Sequence, residues 1–125
     1  MIRVKDNSVS LKDLKPQTVY AIMVVRDVLQ KFMCETIITS VNDGVHGKNS
    51  LHYYGYAVDF RTKNIGSEAD DYREEVVAGF VEEVKRCLGN EFDVVMEDLG
   101  EDNEHLHVEW DPDWWADEKE RMRNG

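Results

Sequence analysis

Two short stretches of this 125-residue chain gather side chains that bind metals or move protons. The first, Ser50-Leu51-His52-Tyr53-Tyr54-Gly55-Tyr56-Ala57-Val58-Asp59, sets an imidazole seven residues ahead of a carboxylate. Both groups are good zinc ligands. Seven residues exceed the reach of one helical face, but they suit a loop that turns at Gly55 and feeds a strand. There Ala57 and Asp59 share a side, and the small Ala57 leaves room beside an ion. In the second stretch, Glu104-His105-Leu106-His107-Val108-Glu109-Trp110, strand alternation sends His105, His107 and Glu109 to one face and Leu106, Val108 and Trp110 to the other. A purely structural strand has little reason to collect two imidazoles and a carboxylate.

Three of the four histidines fall within these two stretches. Together they offer neutral and anionic donors of the types zinc prefers, and catalytic zinc usually takes three protein ligands and a water.

The spacing Ser50-x-His52-x-x-Gly55-x-Ala57-x-Asp59, followed by Glu104-x-x-His107, resembles the signature of the zinc D-Ala-D-Ala peptidases. That family includes phage endolysins that cut peptidoglycan stem peptides, and it shares its fold with the signalling domain of Hedgehog proteins. Five fixed residues at set spacing arise by chance in on the order of one chain in ten thousand. The likeness runs from about Ile37 to Pro112. It implies one zinc ion per chain held by His52, Asp59 and His107, with Glu104 as general base. His105 matches a position that lines the site in several relatives, and its implied role is to stabilise charge on the tetrahedral intermediate. Strict alternation puts Glu104 on the face opposite His107, so it serves as base only if the strand begins at His105. Glu97 and Glu109 are the competing carboxylates.

The chain also departs from the carboxypeptidase pattern, whose members carry an arginine shortly after the Thr-Ser that ends the first strand. Here Thr39-Ser40 leads into Val41-Asn42-Asp43. Arg61 substitutes only if it points into the cleft. Ser50, Tyr54 and Arg61 are the candidate substrate contacts. The expected activity is hydrolysis of an amide bond in the peptide stem of peptidoglycan, as an endopeptidase of the phage-lysis type. The rival readings are a D-Ala-D-Ala carboxypeptidase or dipeptidase, an inactive zinc-containing binding module of the same fold, and a structural zinc domain.

The elements that must position these residues follow from periodicity. Pro16 suits a first helical turn, and Ile22, Val25, Leu29 and Phe32 mark one face of a helix over 16–32. Glu35 to Thr39 reads as a strand entering a loop, and Tyr56 to Phe60 as the next strand. Ser67 with Asp70 signals a second helix start, with Tyr72, Val76, Phe80 and Val84 as its face and Gly89-Asn90 as its end. Phe92 to Met96 and His105 to Trp110 read as a hairpin with a long acidic loop. Asp113 to Arg123 reads as a short helix with Trp114 and Trp115 packed down. The whole is a single domain over 1–125, of α+β class and, by resemblance, Hedgehog/DD-peptidase-like: a mainly antiparallel sheet with helices on one face.

Composition sets outer limits. The net charge is −11, and positions 97 to 120 hold 11 acids against Lys119 alone, a surface that repels nucleic acid. No apolar run reaches the roughly 18 residues of a membrane span. The polar start from Met1 to Asp6 lacks the apolar core of a secretory signal, so the expected site of synthesis is the cytoplasm, with release to the cell wall if the chain is a phage protein. Cys34 and Cys87 read as buried thiols, and a monomer is favoured.

Overall fold

The structure is a computed structural model that describes residues 1–12, 14–41, 56–66, 71–115, 117–118 and 120–121, with the backbone alone for Trp115. Among the described residues, five strands and two long helices follow one another as β1 (Ile2–Val4), α1 (Pro16–Lys31), β2 (Thr36–Ser40), β3 (Ala57–Arg61), α2 (Arg73–Leu88), β4 (Phe92–Glu97) and β5 (His105–Trp110), with a 3-10 turn over Asp113–Trp115. The class is α+β.

Proline opens α1 where its missing N–H costs nothing, and the helix buries Ala21, Ile22, Val25, Val28 and Leu29 at three- and four-residue spacing. In α2 the buried stripe is Val77, Phe80, Val81, Val84 and Leu88, with Arg73 at its head. This face is rotated from the expected one: Tyr72 is exposed, and Val77 and Val81 are buried in its place. Gly89, at φ 84°, ends the helix in a backbone region that side chains resist.

The sheet runs in the order β1-β2-β3-β5-β4. β1 lies parallel to β2, and every other neighbouring pair is antiparallel. The sheet is therefore mixed, with a parallel edge strand that the polar reading of Met1 to Asp6 passed over. Ile38, Val58, Phe60, Val94, Leu106 and Val108 turn to one side and join the helical stripes in a single core. Alternation then leaves the opposite face of β3 and β5 for Ala57, Asp59 and Arg61 and for His105, His107 and Glu109.

Toward the C-terminus, where a helix over Asp113 to Arg123 was expected, a 3-10 turn spans Asp113–Trp115 and residues 117–118 and 120–121 are helical. Trp114 is 69% exposed rather than packed down, touching Trp110 edge-on at a centroid separation of 5.6 Å. Cys34 and Cys87 are half-buried free thiols. Among the described residues no helix is long and apolar enough to cross a membrane.

Candidate metal and proton-transfer site

The antiparallel register between β3 and β5 lines up the open face in rows. Arg61 lies opposite His105, Asp59 opposite His107, and Ala57 opposite Glu109. On the far side of β5, Glu97 faces His105, Val95 faces His107 and Asp93 faces Glu109. A bulge in β2 brings Ser40 opposite Asp59. Residues 48 positions apart in sequence thus meet because two strands pair in one register and no other; a one-residue slip would turn Asp59 into the core.

His107 is held at both ring nitrogens. Nδ1 lies 2.9 Å from Asp59 Oδ1, and Nε2 lies 3.1 Å from Glu109 Oε1. Ionised carboxylates only accept hydrogen bonds, so both nitrogens carry protons in the metal-free chain. Burial by itself lowers the pKa of this imidazole, but the bonds to Asp59 and then to Glu109 outweigh it and raise the value to about 10.

This donor set fits a divalent cation. Asp59 and His107 would be the described residues to hold it, with Glu109 on the other ring nitrogen of His107 giving the carboxylate support that a metal-bound imidazole usually has. The third expected ligand, His52, lies outside the described residues, as do Ser50 and Tyr54. Among the described residues, three donors that come within 4.8 Å of one another are found at Asp93, Glu109 and Asp111, one row further along the same face.

His105 sits in the adjacent row. Its Nδ1 lies 2.7 Å from the Asn103 carbonyl, which can only accept, so Nδ1 carries a proton. In the neutral ring Nε2 therefore holds the lone pair. That atom lies 3.8 Å from both Asp59 Oδ2 and Glu97 Oε1. A basic nitrogen beside the Asp59–His107 pair, flanked by a half-exposed carboxylate, is placed to take a proton from a water in the cleft and return it.

Glu104, the expected base, is placed elsewhere. Its carboxylate faces the helices and accepts from four donors: Arg73 Nη1 at 2.8 Å, Arg73 Nη2 at 2.7 Å, the Thr62 hydroxyl and the Gly100 N–H. Burial works to raise its pKa, yet Arg73, Thr62 and Gly100 together pull it down to about 2. A general base needs an open lone pair and a pKa near the working pH. Glu104 has neither in this arrangement: its carboxylate ties the entry to β5 to the head of α2, and the structure does not bring it to the Asp59–His107 pair. β5 does begin at His105, the condition under which Glu104 was free to leave the face opposite His107, yet its carboxylate stays on the helix side. Arg73, its partner, was missed, and no local signal marks it, because it reads as one more charged residue in a helix.

The two competing carboxylates divide by role. Glu109 orients His107, and Glu97 stands beside His105. Arg61 lines the same cleft as Asp59 and His105, and Lys5, at the end of the unforeseen β1, lines it too. Tyr56 stacks on Trp110 with ring centroids 5.7 Å apart. Comparison with known proteins leaves the reading to the geometry: no family model matches the chain, and neither a curated protein nor a solved structure matches it.

Proposed function

We propose that this chain is a zinc-dependent peptidase that hydrolyses an amide bond in the peptide stem of peptidoglycan, with the fold and signature of the zinc D-Ala-D-Ala peptidases. The observation that carries the reading is the doubly held His107, with Nδ1 on Asp59 and Nε2 on Glu109, beside the free-lone-pair nitrogen of His105. His52, Asp59 and His107 would hold the ion, which when bound supplies an acidified water and a polarised carbonyl. His105 Nε2 accepts the water proton and passes it to the departing amine, while the Asn103 carbonyl keeps the ring in the required tautomer. Glu97 supports the imidazolium that forms in between.

Digestion of purified cell-wall sacculi by the zinc-loaded protein, with the fragments read by mass spectrometry, tests this directly. New amino and carboxyl ends within the stem peptide are expected. Intact stems in the presence of stoichiometric bound zinc would sink the proposal. They would favour the second reading, a zinc-containing binding module, which gains support from Glu104 being engaged by Arg73 rather than free for chemistry.

A further inference from the structure

A proton acceptor at His105 needs its lone pair on Nε2, and the surroundings of the ring work against that. Asp59 Oδ2 and Glu97 Oε1 both lie 3.8 Å from Nε2, so two carboxylates draw a proton onto the nitrogen that must stay bare. Opposing them is one bond, from Nδ1–H to the Asn103 carbonyl at 2.7 Å. Which imidazole nitrogen carries the proton is set by the bond that the other makes. The tautomer of His105 therefore depends on how firmly that carbonyl is held.

Asn103 is exposed, on the connection between β4 and β5, and its ties lead to Asp98. The Asn103 side-chain amide donates to Asp98 Oδ2 at 2.8 Å. The peptide that carries the carbonyl has its N–H, that of Glu104, on the Glu101 carbonyl at 3.2 Å, and the Glu101 N–H in turn bonds the Asp98 carbonyl at 2.9 Å. Asp98 thus braces the connection with its main chain and its side chain together. It does so at φ 55°, a left-handed conformation unfavourable for a side chain, which aspartate tolerates better than most. Strain of this kind persists where the surrounding structure uses it to place a group. We propose that Asp98 is a positioning residue for proton transfer: through Asn103 it keeps the His105 ring in the tautomer whose Nε2 is free to take a proton. The inference rests on the peptidase reading and deepens it with a residue outside the cleft that sets the state of the acceptor.

Long-range nitrogen–proton NMR of the imidazoles reads the tautomer in full-length protein, before and after zinc loading, with the His105 ring neutral and its signals assigned by their loss in His105→Gln. In the parent the Nδ1–H form is expected to dominate. Asp98→Gly suits the left-handed backbone but removes the carboxylate, and Asn103→Ala keeps the carbonyl but removes the amide. Each should move the ratio of the two tautomers about 5-fold toward Nε2–H, the worth of one hydrogen bond, and the double variant no further than either alone. Asp98→Asn keeps an acceptor oxygen and the backbone preference, and should hold the parental ratio. On a stem peptide, Asp98→Gly should lower kcat by a similar factor and leave KM unchanged. A brace that serves stability alone lowers the urea midpoint without moving the tautomer. That result, or an Nε2–H ring in the parent, would overturn the proposal. The NMR needs no turnover: a tautomer shift without sacculus cleavage leaves the Asp98 brace standing and removes the peptidase reading alone, and cleavage with an unmoved tautomer does the reverse.

Discussion

Arg73 and Glu104, 31 positions apart, meet through two hydrogen bonds of 2.8 and 2.7 Å on the helix side of the sheet. Arg73 also donates to the carbonyls of Ile65 and Thr62, so one guanidinium ties the head of α2, the turn after β3 and the entry to β5 together. The next residue after Glu104 is His105, so this buried pair sets where the proposed proton acceptor begins.

Breaking the pair should therefore destabilise the fold before it touches chemistry. Arg73→Met leaves a buried carboxylate unmatched, and a loss of about 3–5 kcal/mol is expected in urea unfolding. The Glu104 pKa is depressed from 4.5 to about 2 on folding, so its contribution is present above about pH 4.5 and is lost as pH falls toward 2. The acid limb of the stability profile should flatten in Glu104→Gln. A Glu104→Gln protein of unchanged stability and abolished hydrolysis would return Glu104 to the role of base.

Metal uptake should expel a proton from His107. The metal-free ring has a pKa near 10, and a ligand must be neutral, so at pH 7 about one proton leaves per zinc bound. Calorimetric titrations in buffers of different ionisation enthalpy measure this, and a heat independent of buffer contradicts it. In metal-free protein the folded-state pKa is raised above 6.5. The stabilisation from His107 is therefore complete below about pH 6.5 and disappears as pH climbs through 10.

Glu109→Gln should keep the fold and weaken zinc binding by about 10- to 100-fold, because the amide no longer draws on Nε2–H as a carboxylate does. Competition with a chelating indicator reads the affinity. Unchanged affinity would mean that Glu109 does not orient a ligand.

His105→Gln should separate metal binding from turnover. Zinc content is expected to stay at the parent level while hydrolysis of stem peptide falls by about 100- to 10,000-fold, the usual worth of a positioned acid–base group. A variant that retains full rate would assign proton transfer to another residue, with Glu97 next in line.

Much of the architecture could be read from periodicity. The boundaries of α1, β3, β4 and β5 fall within a residue or two of those expected, because each carries its own signal: Pro16 at a helix start, strict alternation in His105 to Trp110. β1 was missed because three residues are too short to show a period. The face of α2 was misplaced because Val76 and Val77 are adjacent and equally apolar, and only packing chooses between them.

The meeting of Asp59 and His107 had a signal in the sequence, since both motifs carry side chains of metal-ligating type and were expected to converge. Alternation along one strand likewise determined that His105, His107 and Glu109 share a face, a local consequence of backbone geometry. Only the tertiary structure decided what each charge meets. The β3–β5 register set Asp59 against His107, the docking of α2 claimed Glu104 for Arg73, and the parallel edge strand carried Lys5 to the cleft of Arg61. Those pairings join residues tens of positions apart, and their energies depend on burial and distance, neither of which exists until the chain has folded.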